Sequence, residues 1–231
     1  MPKASSGLAK LRTLLGGGSE QEIHDAYHHW YYRSQVWKTT SWLGVPTQKS
    51  VSDMWNYQEI ITELRPSLLV EFGTAFGGSA LFFATVVEAL KLDCAILTVD
   101  IHSTRRDPSI DNNERIEIMV ASSTDEAVAD RISELRRSNE GPMFAILDSN
   151  HRADHVYGEL NLLHPLSKPG DYLIVEDGNV NGHPVIPDYG PGPYEATERF
   201  LEEHPNAYER DVERERRFGF SFAPGGFLRR R

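Results

Sequence analysis

The chain has 231 residues, enough for one large domain, or a domain with an added arm, that buries its core without disulfides or structural metals. At 39% hydrophobic and 25% charged residues the composition is that of a globular protein, which excludes disordered and fibrous classes. The formal net charge of −10 argues against a nucleic-acid partner, which would need clustered cations to neutralise phosphates. The late basic residues (Arg210, Arg214, Arg216, Arg217 and Arg229 to Arg231) alternate largely with Glu and read as a solvated or interface surface. Cys94, the single cysteine, lies in an apolar run and reads as a buried, inert thiol. The first residues form no signal core, and the most apolar stretch, Ala80 to Leu90, contains Glu88 and is too short for a bilayer. A cytoplasmic protein with no membrane partner is expected.

In chain order, residues 1–20 read as a loose lead-in ending in Gly16-Gly17-Gly18-Ser19. Glu20 to Lys38 is rich in aromatics and His in a helix-compatible pattern, and turn and cap residues fill Thr39 to Asp53. Asp53 is expected to cap a helix through Met54, Tyr57, Ile60, Ile61 and Leu64 that Pro66 stops. We place an N-terminal aromatic helical arm at 1–50 and the main domain at 51–231.

From Ser67 onward, short apolar runs alternate with helical stretches. The runs Leu68–Phe72, Ala95–Val99, Ile116–Val120, Phe144–Leu147 and Tyr172–Val175 read as strands buried on both faces. The stretches Ser79–Leu90, Thr124–Arg137 and Ala153–Leu166 have helical length and spacing. This repetition predicts an α/β fold, an open parallel sheet with helices on both faces. Arg217–Ala223, Pro224-Gly225-Gly226 and Phe227–Arg230 read as strand, tight turn, strand. Such a hairpin would add an antiparallel C-terminal strand, the topology of methyltransferases rather than nicotinamide dehydrogenases.

The first predicted strand runs into Glu71-Phe72-Gly73-Thr74-Ala75-Phe76-Gly77-Gly78-Ser79. Gly73 permits a tight turn at the strand's carboxyl end, and Gly77 and Gly78 permit close approach of a ligand. The next strand ends in Asp100, which suits the two ribose hydroxyls of an adenine nucleoside. The Gly-x-x-x-Gly-Gly spacing differs from the dinucleotide fingerprint. Glu71 would repel a phosphate yet suits a cationic amino-acid moiety, unless it is merely a strand-end charge. These features favour S-adenosylmethionine, with Glu71, Gly73, Thr74, Gly78, Ser79, Asp100, Ser122 and Asp148 as candidate contacts. Ser122 and Ser123 either meet the nucleoside or cap the next helix.

The fourth strand ends in Asp148-Ser149-Asn150-His151 and the fifth in Glu176-Asp177-Gly178-Asn179. Carboxylates converging at one sheet edge repel one another unless a cation lies between them. An all-oxygen set of Asp148, Glu176 and Asp177 suits Mg²⁺, with Mn²⁺ next; zinc is disfavoured by the distant thiol and the lack of a His pair at ligand spacing. Pairing with Arg, or helix capping, is the plainer alternative for these acids.

Several stretches together resemble the cephalosporin hydroxylase family, which despite its name includes S-adenosylmethionine-dependent O-methyltransferases, among them rhamnosyl O-methyltransferases. They are Trp42-Leu43-Gly44, Trp55 to Glu59, Glu71 to Thr74, Leu147-Asp148-Ser149, Val175 to Gly182, Gly190 to Ala196 and Phe222 to Leu228. The resemblance spans roughly 40–230 and is more distant to macrocin-type sugar O-methyltransferases. It implies a Rossmann-like class I methyltransferase with a mostly parallel seven-stranded sheet, Mg²⁺ at Asp148, Glu176 and Asp177, and oligomeric assembly. Asn150 departs from the family, which usually has an acid in that stretch. The implied substrate is a hydroxyl of a small natural product, as in antibiotic biosynthesis, on a deoxysugar or a polyketide.

Methyl transfer to such an oxygen needs a proton acceptor, for which His151 is the candidate and Asp148 the rival. Trp30, Tyr31, Tyr32, Trp37 and Trp42 either cover the acceptor or form a subunit interface, and the loop Asn179–Tyr194 is expected to shape the acceptor pocket. An oxygenase lacks the His spacing of a non-haem iron triad here. A non-catalytic nucleoside-binding protein is disfavoured by the intact acidic trio.

Overall fold

The structure, a computed structural model, describes residues 19–231. Most of the expected lead-in lies outside them. Helix α1 (Glu20–Ser34) starts at Ser19, whose side chain accepts the Glu22 N–H while Glu22 reaches back to the Ser19 N–H. A short 3₁₀ turn (Val36–Thr39) leads to a two-stranded ribbon, β1 (Ser41–Trp42) and β2 (Val45–Pro46). Helix α2 (Val51–Leu64) follows, and Arg65 in the left-handed region ends it just before Pro66. Its N-cap is Ser50, not Asp53: Asp53 is fully buried and accepts the Phe222 N–H at 2.8 Å.

The domain proper alternates β3 (Leu68–Phe72), α3 (Gly78–Ala89), β4 (Ala95–Asp100), β5 (Ile116–Val120), α4 (Glu126–Ser138), β6 (Met143–Leu147), α5 (Ala153–Leu163) and β7 (Tyr172–Val175). Then come α6 (Pro193–Glu203), β8 (Tyr208–Arg210), the short α7 (Val212–Arg216) and β9 (Phe227–Arg230). The seven-stranded sheet has the order β5-β4-β3-β6-β7-β9-β8; β9 runs antiparallel to both its neighbours.

Alternation along the strands divides the core in two. Leu68, Val70 and Phe72 face α4, α5 and α6 with Val128, Leu160 and Phe200. Leu69 faces α2 and α3 with Tyr57, Ile61 and Phe83. Each such side chain contributes about 1.5–3 kcal/mol when buried, so both faces must be covered, as a parallel sheet requires.

The expected terminal hairpin forms only in its second half. Tyr208–Arg210, not Arg217–Ala223, supplies the partner strand of β9. The reason lies in the aromatics: Phe220 packs on His28 and Tyr31, and Phe222 on Tyr32 and Trp37. The Phe222 N–H is committed to Asp53 and its carbonyl to the Asn179 N–H, so that backbone is satisfied without a ladder.

Several of the late arginines are compensated internally. Arg214 pairs with Glu59 and Glu63, Arg217 with Glu59, Arg210 with Glu198 and Arg229 with Asp211. Cys94 is buried, which pushes its thiol up to about 12. Among the described residues no helix is long and apolar enough to cross a membrane.

Candidate active site

Register places the site. Phe72 lies beside Val99 and Leu147, and Leu147 beside Val175. The residues that follow, Gly73, Asp100, Asp148 and Glu176, therefore leave the sheet at one edge, where ligands of open α/β sheets bind. A cavity of about 340 Å³ opens there, lined among others by Gly73, Ala75, Asp100, Ile101, Ser122, Ser123, Asp148 and Ser149.

Gly73 has φ +101°, and a Cβ on it would lie 2.0 Å from the Asp148 carbonyl oxygen, so the crossing of two strand ends requires glycine. The Asp100 carboxylate is held by two backbone donors, the Ala75 N–H and the His102 N–H, each at 2.9 Å. An acid so fixed on a cavity wall suits a pair of vicinal hydroxyls. Ser122 lines the cavity, and the cap of α4 is Asp125.

The other expected cofactor contacts lie off the cavity wall. A strand side chain projects from the sheet's face, not its edge, and Glu71 accordingly points under α3. It is fully buried and accepts the Thr98 hydroxyl at 2.8 Å. Thr74 is hydrogen-bonded to Thr98 at 2.7 Å, and Ser79 is buried. A Cβ on Gly78 would meet the Pro46 carbonyl at 2.4 Å, so Gly78 admits the strand β2 rather than a ligand.

Beside the cavity lies a cluster of charges. His151 stands between two acids: its Nδ1 is 3.1 Å from Asp177 Oδ2 and its Nε2 is 3.4 Å from Asp148 Oδ1. One ligand atom from each of Asp148, His151 and Asp177 falls within 4.8 Å of the others, a spacing one metal ion could bridge. Glu176, the third expected ligand, is turned elsewhere. Its Oε1 is 2.6 Å from the ammonium of Lys49, whose second contact is Asp148 Oδ2 at 2.5 Å.

Lys49 is the residue that sequence reasoning missed. It sits in the turn between β2 and α2, with its side chain 1% exposed. Nothing in Thr47-Gln48-Lys49-Ser50 marks it; only the folding of the β1–β2 segment over α3, where Trp42 Nε1 donates to Thr85 and Trp42 packs on Phe82, brings it to the strand ends.

Burial opposes the charge on Lys49, but Asp148, Glu176 and Glu71 outweigh it and raise its pKa. Burial also works against Asp148, whose pKa is nonetheless lowered by Lys49 and His151. Burial, with Asp148 adding repulsion, pushes Glu176 up to about 8 despite Lys49 and raises Asp177 despite His151. Burial disfavours protonation of His151, but Asp177 and Asp148 raise its pKa to about 9. Three carboxylates face two cations, an excess of one negative charge whenever Glu176 is ionised, and the oxygen donors of Asp148 and Asp177 are of the kind a hard divalent ion takes.

The aromatics of the N-terminal segment are partly packed and partly exposed. Tyr32 is half-buried against Trp37 and Phe222, and burial followed by the nearby Asp177 charge raises its pKa. Tyr27 and Trp30 stack at 5.6 Å and stay exposed. The loop 179–194 is pinned at one end by Asn179 Nδ2 to His28 Nε2 at 2.9 Å. At the other, Asn181 and His183 bond Glu195. Burial raises Glu195, but the Gly192 N–H and these side chains hold it down to about 2.

A family model described as Rhamnosyl O-methyltransferase/CmcI matches residues 34–231. A rhamnosyl O-methyltransferase of Mycobacterium tuberculosis (strain ATCC 25618 / H37Rv) is 50% identical over 206 residues, 89% of this chain and 84% of that protein. One of Mycobacterium leprae (strain TN) is 51% identical over 209 residues, 90% of this chain and 91% of that protein. Among solved structures, CmcI with Mg and SAM has a TM-score of 0.68 at 22% identity, covering 84% of this chain and 77% of that one. That likeness speaks for the fold. With the glycine-floored cavity, Asp100 and the sheet order, these matches place the chain in the rhamnosyl O-methyltransferase/CmcI family of S-adenosylmethionine-dependent O-methyltransferases.

Proposed function

We propose that this enzyme methylates a hydroxyl of a sugar on a small natural product, a rhamnosyl group being the first choice, with Mg²⁺ bound at the acidic cluster and Mn²⁺ able to replace it. The observation that carries the reading is the position of Asp148, which belongs both to the cofactor cavity and to the acidic cluster. Donor and acceptor halves therefore share one residue. The names of the mycobacterial relatives support the rhamnosyl choice.

Methyl transfer is a displacement at a sulfonium-bound carbon, so the acceptor oxygen must be held behind that carbon. Asp100 fixes the ribose and Gly73 lets the cofactor approach the strand ends. Asp148 and Asp177 would hold the cation, with Glu176 kept beside them by Lys49. When bound, Mg²⁺ acidifies and orients the acceptor hydroxyl. His151, between the same carboxylates, is placed to take the proton, and Asp148 is the alternative acceptor. Both acids favour a proton on His151, so it serves as base only when their charge is taken up. Tyr32 and the loop 179–194 flank the acceptor side, which assigns part of the arm to substrate cover. The exposed Tyr27 and Trp30 support self-association into a homo-oligomer, and we place the reaction in the cytoplasm.

The test combines calorimetry with S-adenosylmethionine and a mass-shift screen of rhamnosylated acceptors. One methyl added to a rhamnoside, abolished by chelator and restored by Mg²⁺, is expected. Absent cofactor binding overturns the donor half, and full turnover of Glu176→Gln in chelator overturns the metal half.

A further inference from the structure

The cavity wall also carries a polar group of side chains that methyl transfer does not require. Ser123 follows β5, Ser149 follows β6, and His155 lies in the first turn of α5; all three line the cavity. Behind them, one helical turn beyond His155, Glu159 is fully buried. The Ser123 and Ser149 hydroxyls are each 2.5 Å from the same atom, Glu159 Oε1. His155 Nε2 is 2.9 Å from Ser123 Oγ and 3.2 Å from Ser149 Oγ.

Proton counting fixes the polarity of this wall. A serine hydroxyl has one proton to donate, and here both donate to Oε1. Each serine is left with lone pairs only, so His155 must carry its proton on Nε2 and donate it to them. The opposite carboxylate oxygen, Glu159 Oε2, has no hydrogen-bond partner among the described residues, so the acid acts on its surroundings through Oε1. What the hydroxyls can still offer a ligand is acceptors.

The proposed function fixes which part of the cofactor reaches this wall. The transferred methyl must face the acidic cluster after β6 and β7 and the ribose Asp100 after β4, which directs the base onward to β5, the strand that Ser123 follows. We propose that Glu159 is a positioning residue that locks Ser123 and Ser149 as acceptors, so that the cavity selects a purine with an exocyclic amino group over its oxo counterpart. The inference rests on the cavity being the S-adenosylmethionine site. An amino group at purine position 6 donates to the serines; an oxo group there places acceptor against acceptor.

The test is calorimetry on the full chain with S-adenosylhomocysteine, with S-inosylhomocysteine, whose 6-oxo ring also carries a proton on N1, and with the 6-deamino purine analogue, which loses the amino group without gaining that proton. The wild type should prefer the adenosyl compound by at least about tenfold, the scale of one unpaired buried polar group. In Glu159→Gln the amide can donate to a serine and release its hydroxyl proton toward the cavity, and the preference should fall to about threefold or less. Ser149→Ala, which keeps the acid and deletes one acceptor, should give an intermediate ratio and carries the test if Glu159→Gln does not fold. Adenosyl binding with an unchanged ratio in both variants overturns the relay alone. Binding of none of these compounds to the wild type overturns the cofactor reading and the relay with it.

Discussion

Replacing Lys49 with methionine removes the ammonium held between Asp148 and Glu176 while keeping most of the side-chain volume. The Lys49 side chain is 1% exposed and that of Glu176 3%, so water cannot take the ammonium's place. Removing one partner of a buried pair costs about 3–5 kcal/mol because the other charge stays buried. Two features set where in that range the loss falls. Both Asp148 and Glu176 lose a contact, which pushes it up. Glu176, already pushed up to about 8 by burial, can take a proton at neutral pH, which pulls it down. We expect a loss of about 3 kcal/mol at pH 7. It should grow as pH rises past about 8, because without Lys49 the folded variant keeps a proton on Glu176 that the folded wild type releases there and the unfolded chain has already released. Urea denaturation of the metal-free chain at pH 6 and pH 8.5 reads both quantities. The double variant Lys49→Met/Glu176→Gln should recover about 2 kcal/mol of the loss, since it removes the stranded charge. A single-variant loss below about 1 kcal/mol, or strictly additive behaviour of the pair, would refute the buried ion pair.

Gly73→Ala should abolish S-adenosylhomocysteine binding and lower stability by about 2 kcal/mol or more, read by calorimetry and urea titration; its Cβ would sit 2.0 Å from a backbone oxygen at φ +101°. Asp177→Asn should weaken Mn²⁺ binding, followed by its electron-spin signal, at least about tenfold, or 1.4 kcal/mol, and by more than Glu176→Gln does, because Glu176 is turned to Lys49. Equal losses would make Glu176 a ligand of the same rank. Burial lowers His28 to about 4, so its folded form resists protonation. Stability from His28 is complete above about pH 6.5, the unfolded value, and is lost as pH falls toward 4. His28→Gln should flatten that part of the pH–stability curve; an unchanged slope removes His28 as its cause.

The parallel half of the fold was legible because its strands are buried on both faces and so read as unbroken apolar runs; Leu68–Phe72 and Tyr172–Val175 match the structure residue for residue. The C-terminal end misled because alternating aromatics carry two meanings. Phe218, Phe220 and Phe222 have a strand's period, yet Phe220 and Phe222 turn toward α1 and the residues after it, more than 180 residues earlier in the chain. Tyr208–Arg210, the strand that pairs instead, is three residues long and carries two charged side chains, too little apolar periodicity to announce itself.

Lys49 shows where sequence reading of the site stops. The acids were found because strand ends are marked by the apolar runs before them, and parallel register carries them to one edge. A counter-charge delivered by a loop has no such marker: its place depends on how β1 and β2 lie across α3. Too many carboxylates at one edge predict that some cation must be there, and from sequence a metal is the first choice with pairing to an arginine as the alternative. The structure divides the task. Lys49 neutralises part of the charge and holds Glu176, while one atom each of Asp148, His151 and Asp177 stays within 4.8 Å of the others. A site built this way should stay folded with no ion bound, because Glu176, the deepest of the converging acids, has a partner of its own. On that argument the wild type should stay folded in chelator, whereas Lys49→Met, left with stranded carboxylates, should become stabilised by Mg²⁺ with the logarithm of its concentration once that exceeds the Kd.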